Sequence, residues 1–213
     1  MMNTRIYPLL LVVIGISLSI WAYPQLPNQV PIHWNFEGQV DSYGSRLSAV
    51  LILPIVSAAV FILLLILPKL DPRKENYKKF KGSYAIIMNS VFSFLLFTHA
   101  LVIFSALGYP ISIETVVPMG VGILFIIIGN YMQRIKSNYF VGIRTPWALQ
   151  DEDVWKMTHR LGARLFIIAG SLIFISGLLP NAWKLPLLIG SIVLAVGVPY
   201  IASYLFYRNN RTE

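Results

Sequence analysis

Long apolar runs alternate with short polar segments along this chain. A helix needs about 20 mostly apolar residues to cross roughly 30 Å of hydrocarbon, and only helices or closed barrels satisfy their backbone hydrogen bonds in lipid. Six runs meet this requirement, and we place the spanning helices at residues 6–23, 47–67, 84–107, 116–132, 165–179 and 185–207. The pattern therefore predicts an all-α integral membrane protein with six transmembrane helices.

The polar segment between the first two runs differs from the other connections. It reads VPIHWNFEGQVDSYGSR over residues 30–46, so polar and charged side chains alternate with aromatic ones. Pro24, Pro27 and Pro31 end the first helix, since proline lacks a backbone donor and favours extended geometry in the residue before it. We expect a polar hairpin loop at residues 24–46.

The longest connection, residues 133–164, contains signals for a further helix. Thr145 and Pro146 form a plausible cap and first-turn pair, and acidic residues from Asp151 precede basic ones that end at Arg164. This order of charges suits the helix dipole. With an apolar stripe beside the charges, the pattern predicts an amphipathic helix that lies along the inner membrane surface and leads into the fifth span.

The composition and the distribution of charge agree with the prediction of a membrane protein. The chain of 213 residues is 56% hydrophobic and 12% charged, which is typical of polytopic membrane proteins. All but two of its 17 Lys and Arg residues fall on one side of the six spans, and the exceptions are Arg46 and Lys184. The positive-inside rule therefore predicts a multi-pass cell-membrane protein with both termini cytoplasmic and the hairpin outside.

We divide the chain into two units. Residues 1–82 form a two-helix membrane unit that carries the outer loop, and residues 83–213 form a four-helix unit that carries the inner loop. Zero cysteines exclude disulfides, thiolate metal sites and a cysteine nucleophile. His33 and Glu37 are spaced H-x-x-x-E but lack the second histidine and the helix of a zinc protease, so we expect no metal, no cofactor and no catalytic residue.

Two polar residues fall inside predicted spans. His99 in the third span is an ionisable group at membrane depth, and such groups are candidates for a functional role. The simpler interpretation is a neutral histidine bonded to a hydroxyl or carbonyl on a neighbouring helix. Asn89, in the same span, most simply serves helix packing.

Two passages resemble a known family. They are LPNQVPIHWNFEGQVDSYGSR in the outer loop and GNYMQRIKSNYFVGIRTPWALQDEDVWKMTHRLGARLF in the inner one. On a six-span frame they resemble the SdpI family of immunity proteins, typified in Bacillus, and the first resembles the small domain of unknown function that usually precedes the family's C-terminal domain. The resemblance implies protection of a toxin-producing cell from a secreted, membrane-active peptide toxin. It also implies a possible receptor role, in which toxin engagement holds a winged-helix transcriptional repressor at the membrane.

We assign candidate residues to these roles. The toxin-facing set is His33, Trp34, Asn35, Glu37 and Asp41. The inner partner surface is Arg144, Thr145, Pro146, Trp147, Asp153, Trp155 and His159. Exposed aromatics among polar groups can anchor a partner, although a hydrogen-bonded loop resting on the helices is the simplest account of the hairpin.

Other functions are less favoured by the residues. A small-molecule transporter or channel is the alternative, but no Asp or Glu lies in any predicted span and no internal repeat is evident. An intramembrane enzyme is third, because the spans carry no aspartyl dyad and no recognisable nucleophile. The basic clusters are explained by topology, so we expect no direct binding of nucleic acid.

Overall fold

Six long helices dominate the fold. The structure is a computed structural model that describes residues 5–35 and 37–211, and within these it has six helices long and apolar enough to cross a membrane. The all-α membrane prediction is confirmed. The helices are α1 (Ile6–Ala22), α2 (Arg46–Leu70), α3 (Asn76–Lys79), α4 (Lys81–Ala106), α5 (Ile113–Met132), α6 (Pro146–Gln150), α7 (Glu152–Ser176), α8 (Asn181–Ile192) and α9 (Val198–Asn210). A π-helical segment, Val193–Gly197, joins α8 and α9 into one span, Asn181–Asn210.

The connections collect at two ends of the helix bundle. A β-hairpin of β1 (Gln29–Trp34) and β2 (Val40–Ser45) follows a 3-10 turn, Tyr23–Gln25, and lies beside the start of α5 and of α8. We call this the hairpin end. The opposite end holds α3, α6 and the loop 133–145, together with nearly all the Lys and Arg residues, and we call it the basic end.

A proline inside α2 is compensated by a neighbouring helix. Pro68 has no N–H, so the carbonyl of Leu64, four residues earlier, loses its usual partner in the helix. The hydroxyl of Tyr84 on α4 donates to that carbonyl at 3.0 Å. Hydroxyl groups from adjacent helices are one of the means by which membrane proteins satisfy backbone groups freed by proline. The bond fixes α4 against the end of α2.

α5 and α7 approach each other closely enough for their backbones to touch. A Cβ added at Gly122 would lie 2.6 Å from the carbonyl oxygen of Gly170, and one added at Gly129 would lie 2.8 Å from that of Ala163. Small residues allow such contacts. In lipid the hydrophobic effect does not hold helices together, so close van der Waals packing of this kind contributes to their association. By contrast, a Cβ at Gly190 would meet no atom within 4 Å.

The fifth span differs from its prediction. α7 is one continuous helix from Glu152 to Ser176, so the predicted amphipathic helix and the fifth span form a single element. Its start is fixed by Asp151, whose side chain accepts hydrogen bonds from the backbone N–H groups of Asp153 and Val154. The Val154 bond is the main reason why the pKa of Asp151 lies below its usual value. The predicted cap at Thr145 is confirmed, because its hydroxyl oxygen accepts from Ala148 N at 3.1 Å before α6.

Candidate functional site

The outer hairpin is a regular structure closed by a side-chain turn. Asn35 Oδ1 accepts hydrogen bonds from the backbone N–H groups of Glu37 and Gln39, at 3.0 and 2.9 Å. Gly38 completes the turn with a φ of +79°, a left-handed conformation that glycine adopts without strain. The strands bring His33 Nδ1 to 2.5 Å from Asp41 Oδ1 across the hairpin, and both side chains remain exposed.

The hairpin is anchored to four helices. Val30 on β1 is fully buried and packs in a cluster with α1, α2 and α4 that includes Ala22, Val50 and Ile103. At its tip, Gly38 fits against α5, because a Cβ there would lie 2.3 Å from Glu114 Oε2. The hairpin is therefore held at both its base and its tip.

A cavity of about 510 Å³ lies between the hairpin and the ends of α5, α7 and α8. We call it the outer cavity, and its lining residues are His33, Trp34, Asn35, Asp41, Ile113, Glu114, Val117, Pro118, Val121, Ile173, Ser176, Lys184 and Leu188. Its volume is within the range of pockets that bind small molecules, and an apolar wall with a few polar groups is typical of such pockets.

The lower end of the outer cavity is closed by helix packing. Val121 and Ile173 are among its lining residues, and the next residue along α5, Gly122, touches the backbone of α7 at Gly170. Because the two backbones are in contact, no space for an ion or a small molecule separates them there.

Four of the five predicted toxin-facing residues share this pocket. His33, Trp34, Asn35 and Asp41 line it, whereas Glu37 is exposed on the turn and does not. Three further polar lining residues were missed by sequence reasoning, namely Glu114, Ser176 and Lys184. A signal existed for Lys184, since it was one of the two exceptions to the charge asymmetry.

A hydrogen-bonded chain surrounds His99 inside the membrane. Pro54 in α2 leaves the carbonyl of Val50 without its helical donor, and Ser19 Oγ on α1 donates to that carbonyl at 2.7 Å. Ser19 therefore accepts from His99 Nε2, 2.9 Å away. The expected bond between His99 and a hydroxyl on a neighbouring helix is confirmed. The Oδ1 atom of Asn89 is buried and has no hydrogen-bond partner among the described residues.

The inner partner surface needs correction. Thr145, Trp155 and His159 are at most 3% exposed, so their side chains are not accessible to a partner. Trp155 Nε1 donates to the carbonyl of Ile135 at 2.8 Å. The reason is that loop 133–145 folds back over the first turns of α7 and covers their apolar stripe.

His159 acts as a structural connector within that covered region. Its Nδ1 donates to the carbonyl of Trp155 at 2.9 Å, and its Nε2 accepts from the backbone N–H of Ile143 at 3.1 Å. Gly142 passes directly beside the ring with a φ of +107°. Both ring nitrogens are thus used to fix the loop onto α7.

The rest of the predicted inner surface stays accessible. Arg144, Pro146 and Asp153 are exposed, and Trp147 is half-buried. Trp147 makes edge and tilted contacts with Tyr200 and Tyr204 of α9. We refer to these four residues at the basic end as the accessible patch, and its binding of a partner stays a prediction.

A buried polar cluster at the basic end joins the two halves of the chain. Asp71 is 2% exposed, and its carboxylate accepts from the backbone N–H of Tyr139 at 2.9 Å and from the hydroxyl of Tyr77 at 3.1 Å. That hydroxyl also lies 3.1 Å from Asn138 Oδ1. Burial, and then the Asp71 carboxylate, raise the pKa of Tyr77, which keeps the hydroxyl protonated as a donor. This cluster was not predicted from the sequence.

No group of three or more His, Cys, Asp or Glu residues that could hold a metal ion occurs in residues 5–35 and 37–211. The His33 and Asp41 pair is used within the hairpin. The outer cavity presents apolar contacts, hydrogen-bonding groups, the carboxylates of Asp41 and Glu114 and one lysine ammonium.

Comparisons with known proteins cover nearly the whole chain. Residues 134–203 match the SdpI/YfhL protein family, and residues 10–58 match a domain of unknown function, DUF1648. The chain is similar to the Immunity protein SdpI of Bacillus subtilis (strain 168), with 28% identity over 207 residues that cover 97% of each chain. No solved structure was found to match. The matched regions contain the hairpin, the accessible patch at the basic end and Lys184.

Proposed function

Since the chain is a member of the SdpI/YfhL protein family, we propose that it is a multi-pass protein of the cell membrane that gives immunity to a secreted, membrane-active peptide toxin. The proposal is supported by two separate matched regions and by similarity to an immunity protein along almost the full length of the chain. In this proposal the protein has no enzymatic activity.

The outer cavity is the observation that carries the proposal furthest. It combines an apolar wall from α5, α7 and α8 with a polar rim from the hairpin, at the end that the charge asymmetry predicts to be outside. An amphipathic peptide reaching the membrane from outside would meet this surface first. Occupancy of the pocket would keep the peptide from assembling or inserting in the bilayer.

Expression in toxin-sensitive cells tests the proposal. Bacillus cells that lack their own immunity gene would receive this chain, and their membrane potential would be followed after exposure to the sporulation-delaying-protein toxin. We expect cells with the chain to keep their potential and cells with an empty vector to lose it. Loss of potential in both strains, with the chain confirmed in the membrane, would contradict the proposal.

A matched pair of tryptophan variants locates the toxin site. Trp34 lines the outer cavity, whereas Trp183 is 59% exposed nearby on α8 and does not line it. We expect Trp34→Ala to reduce protection and Trp183→Ala to preserve it. Equal protection by both variants would place the toxin contact elsewhere.

We further propose that the accessible patch of Arg144, Pro146, Trp147 and Asp153 docks a cytoplasmic winged-helix repressor. The support is the family resemblance and the exposure of Arg144 and Asp153 at the basic end, together with the half-buried ring of Trp147. The double variant Arg144→Ala, Asp153→Ala should abolish induction of a repressor-controlled reporter while leaving protection intact. Unchanged induction would remove the patch from the signalling role.

Transport is the alternative function. The close contact of Gly122 with Gly170 leaves no passage between α5 and α7 at that level. Counterflow of small solutes in proteoliposomes separates the two classes, because an immunity protein that acts by occupancy should show no flux above that of empty liposomes.

A further inference from the structure

Two cations break the charge asymmetry of the chain, and the structure accounts for only one of them. Arg46, at the start of α2, donates to Asn28 Oδ1 at 2.9 Å and lies over the ring of Tyr23, 5.6 Å from its centroid. These contacts fix the hairpin to the helices. Arg46 therefore has a structural role.

Lys184 has no comparable structural contacts. It is 7% exposed, it lines the outer cavity, and it makes no hydrogen bond or ion pair with any residue in the described ranges 5–35 and 37–211. An ammonium group removed from water costs free energy unless an anion or several acceptors face it. A lysine side chain that is more than nine-tenths buried, lines a pocket and has no partner among the described residues favours a ligand that brings an anionic group into that pocket.

The acidic residues of the same pocket do not supply that group. Asp41 is paired with His33 at 2.5 Å, and Glu114 accepts from Ser112 Oγ at 2.9 Å while lying against Gly38. Neither carboxylate lies within 4.0 Å of the lysine nitrogen as an ion pair would require. Neither of these two carboxylates therefore supplies the counter-charge of Lys184.

The other residues that line the outer cavity indicate which kind of ligand would carry the anionic group. Ile113, Val117, Val121 and Leu188 present an apolar wall, so the group that carries the anion is itself apolar. At the rim, Trp34 is half-buried and its indole N–H has no acceptor among the described residues. A peptide carbonyl would satisfy that donor, whereas an acyl chain carries no acceptor along its length.

We propose that Lys184 binds a carboxylate carried by an apolar peptide segment seated in the outer cavity, with the Trp34 indole donating to a peptide carbonyl. The assignment rests on the proposed function, in that the peptide would be the toxin. It adds which part of the peptide is recognised and by which residue.

Direct binding to the full chain in lipid nanodiscs tests the assignment. The probes are an acetylated apolar pentapeptide with a free C-terminal carboxylate, the same peptide as its C-terminal amide, and decanoate. A hydrogen bond to a charged group predicts a preference for the carboxylate peptide over the amide of about tenfold or more in Kd. Lys184→Gln should remove the preference, and Lys184→Arg should keep most of it.

Three results would overturn the assignment. The first is that the carboxylate and amide peptides bind with equal affinity, or that neither binds. The second is that the preference for the carboxylate survives Lys184→Gln in a protein whose thermal unfolding is unchanged. The third is that decanoate binds as tightly as the carboxylate peptide. The last would replace the peptide with a lipid-like acid.

Protection assays keep this test separate from the proposed function. Protection by the wild-type chain together with full protection by Lys184→Gln would contradict the role of Lys184 but not immunity. A carboxylate preference in a chain that does not protect cells would contradict immunity but support the site.

Discussion

Pro54 explains the polar cluster around His99. It frees the carbonyl of Val50, Ser19 donates to that carbonyl, and His99 donates to Ser19. The order of donors follows from the missing N–H of proline. One residue on α2 thereby sets the hydrogen-bonding roles of side chains on α1 and α4.

Replacing Ser19 by alanine tests this chain. We expect Ser19→Ala to lower the free energy of unfolding by about 1–3 kcal/mol, because the Val50 carbonyl is left unsatisfied in an apolar environment. In a Pro54→Ala background the cost should be smaller, since the substituted alanine supplies the helical N–H that proline lacks. Unfolding of the purified protein in detergent micelles measures all three variants against the wild type.

The control is Ser17→Ala, because the Ser17 hydroxyl is exposed and bonds to Val13 on its own helix. It should change the free energy of unfolding by less than about 0.5 kcal/mol. An equal cost of Ser19→Ala with and without Pro54 would show that the proline does not create the need for the hydroxyl.

Individual residues show where sequence reasoning succeeds and fails. The Thr145 cap and the His99 bond were predictable because both depend on local chemistry or on a strong penalty at membrane depth. The burial of Trp155 and His159 was not, because it depends on how loop 133–145 folds back onto α7. An amphipathic helix shows the same periodicity whether its apolar stripe faces lipid or a protein loop.

At two facing glycines, the helices α5 and α7 come into direct backbone contact. Gly122 and Gly170 face each other so that either Cβ would lie within 2.7 Å of the other residue's carbonyl oxygen. Glycines at irregular spacing are a weak signal in a sequence, and only the structure separates Gly122 from Gly190. The contact also closes the lower end of the outer cavity.

Alanine at these two glycines gives a matched comparison. Gly122→Ala should destabilise the protein by about 1–3 kcal/mol, because the added methyl group overlaps the backbone of α7. Gly190→Ala adds the same methyl group where nothing lies within 4 Å, so it should be neutral or stabilising by up to about 1 kcal/mol. Thermal unfolding in detergent compares the two, and similar melting temperatures would contradict the close packing.

The start of α7 could not be predicted from hydropathy. Its first turns carry the charged residues Glu152, Asp153 and Lys156. They lie outside the apolar run, so the predicted span began only at residue 165. In the structure Asp151 caps the helix and no residue between it and Ser176 interrupts the backbone pattern. Hydropathy detects the lipid-facing part of a helix, while caps determine where the helix begins.

Across the whole molecule, charge and fold agree on two different ends. The clusters of Lys and Arg lie at the end that holds α3, α6 and loop 133–145, and the outer cavity lies at the other. Six spans were predictable because the length of an apolar run and the thickness of the bilayer determine them. The outer cavity was not, since it forms where four separate segments of the chain meet.

Labelling of single cysteines in intact cells tests the placement of these two ends, on which every functional proposal depends. The chain has no cysteine, so Glu37→Cys on the hairpin and Asp153→Cys at the basic end are each unique targets. Ile62→Cys, on the lipid-facing surface of α2, is the unlabelled control. With a membrane-impermeant maleimide we expect Glu37→Cys to react in intact cells and Asp153→Cys to react only after permeabilisation. Reaction of both in intact cells, or of Asp153→Cys alone, would contradict the account.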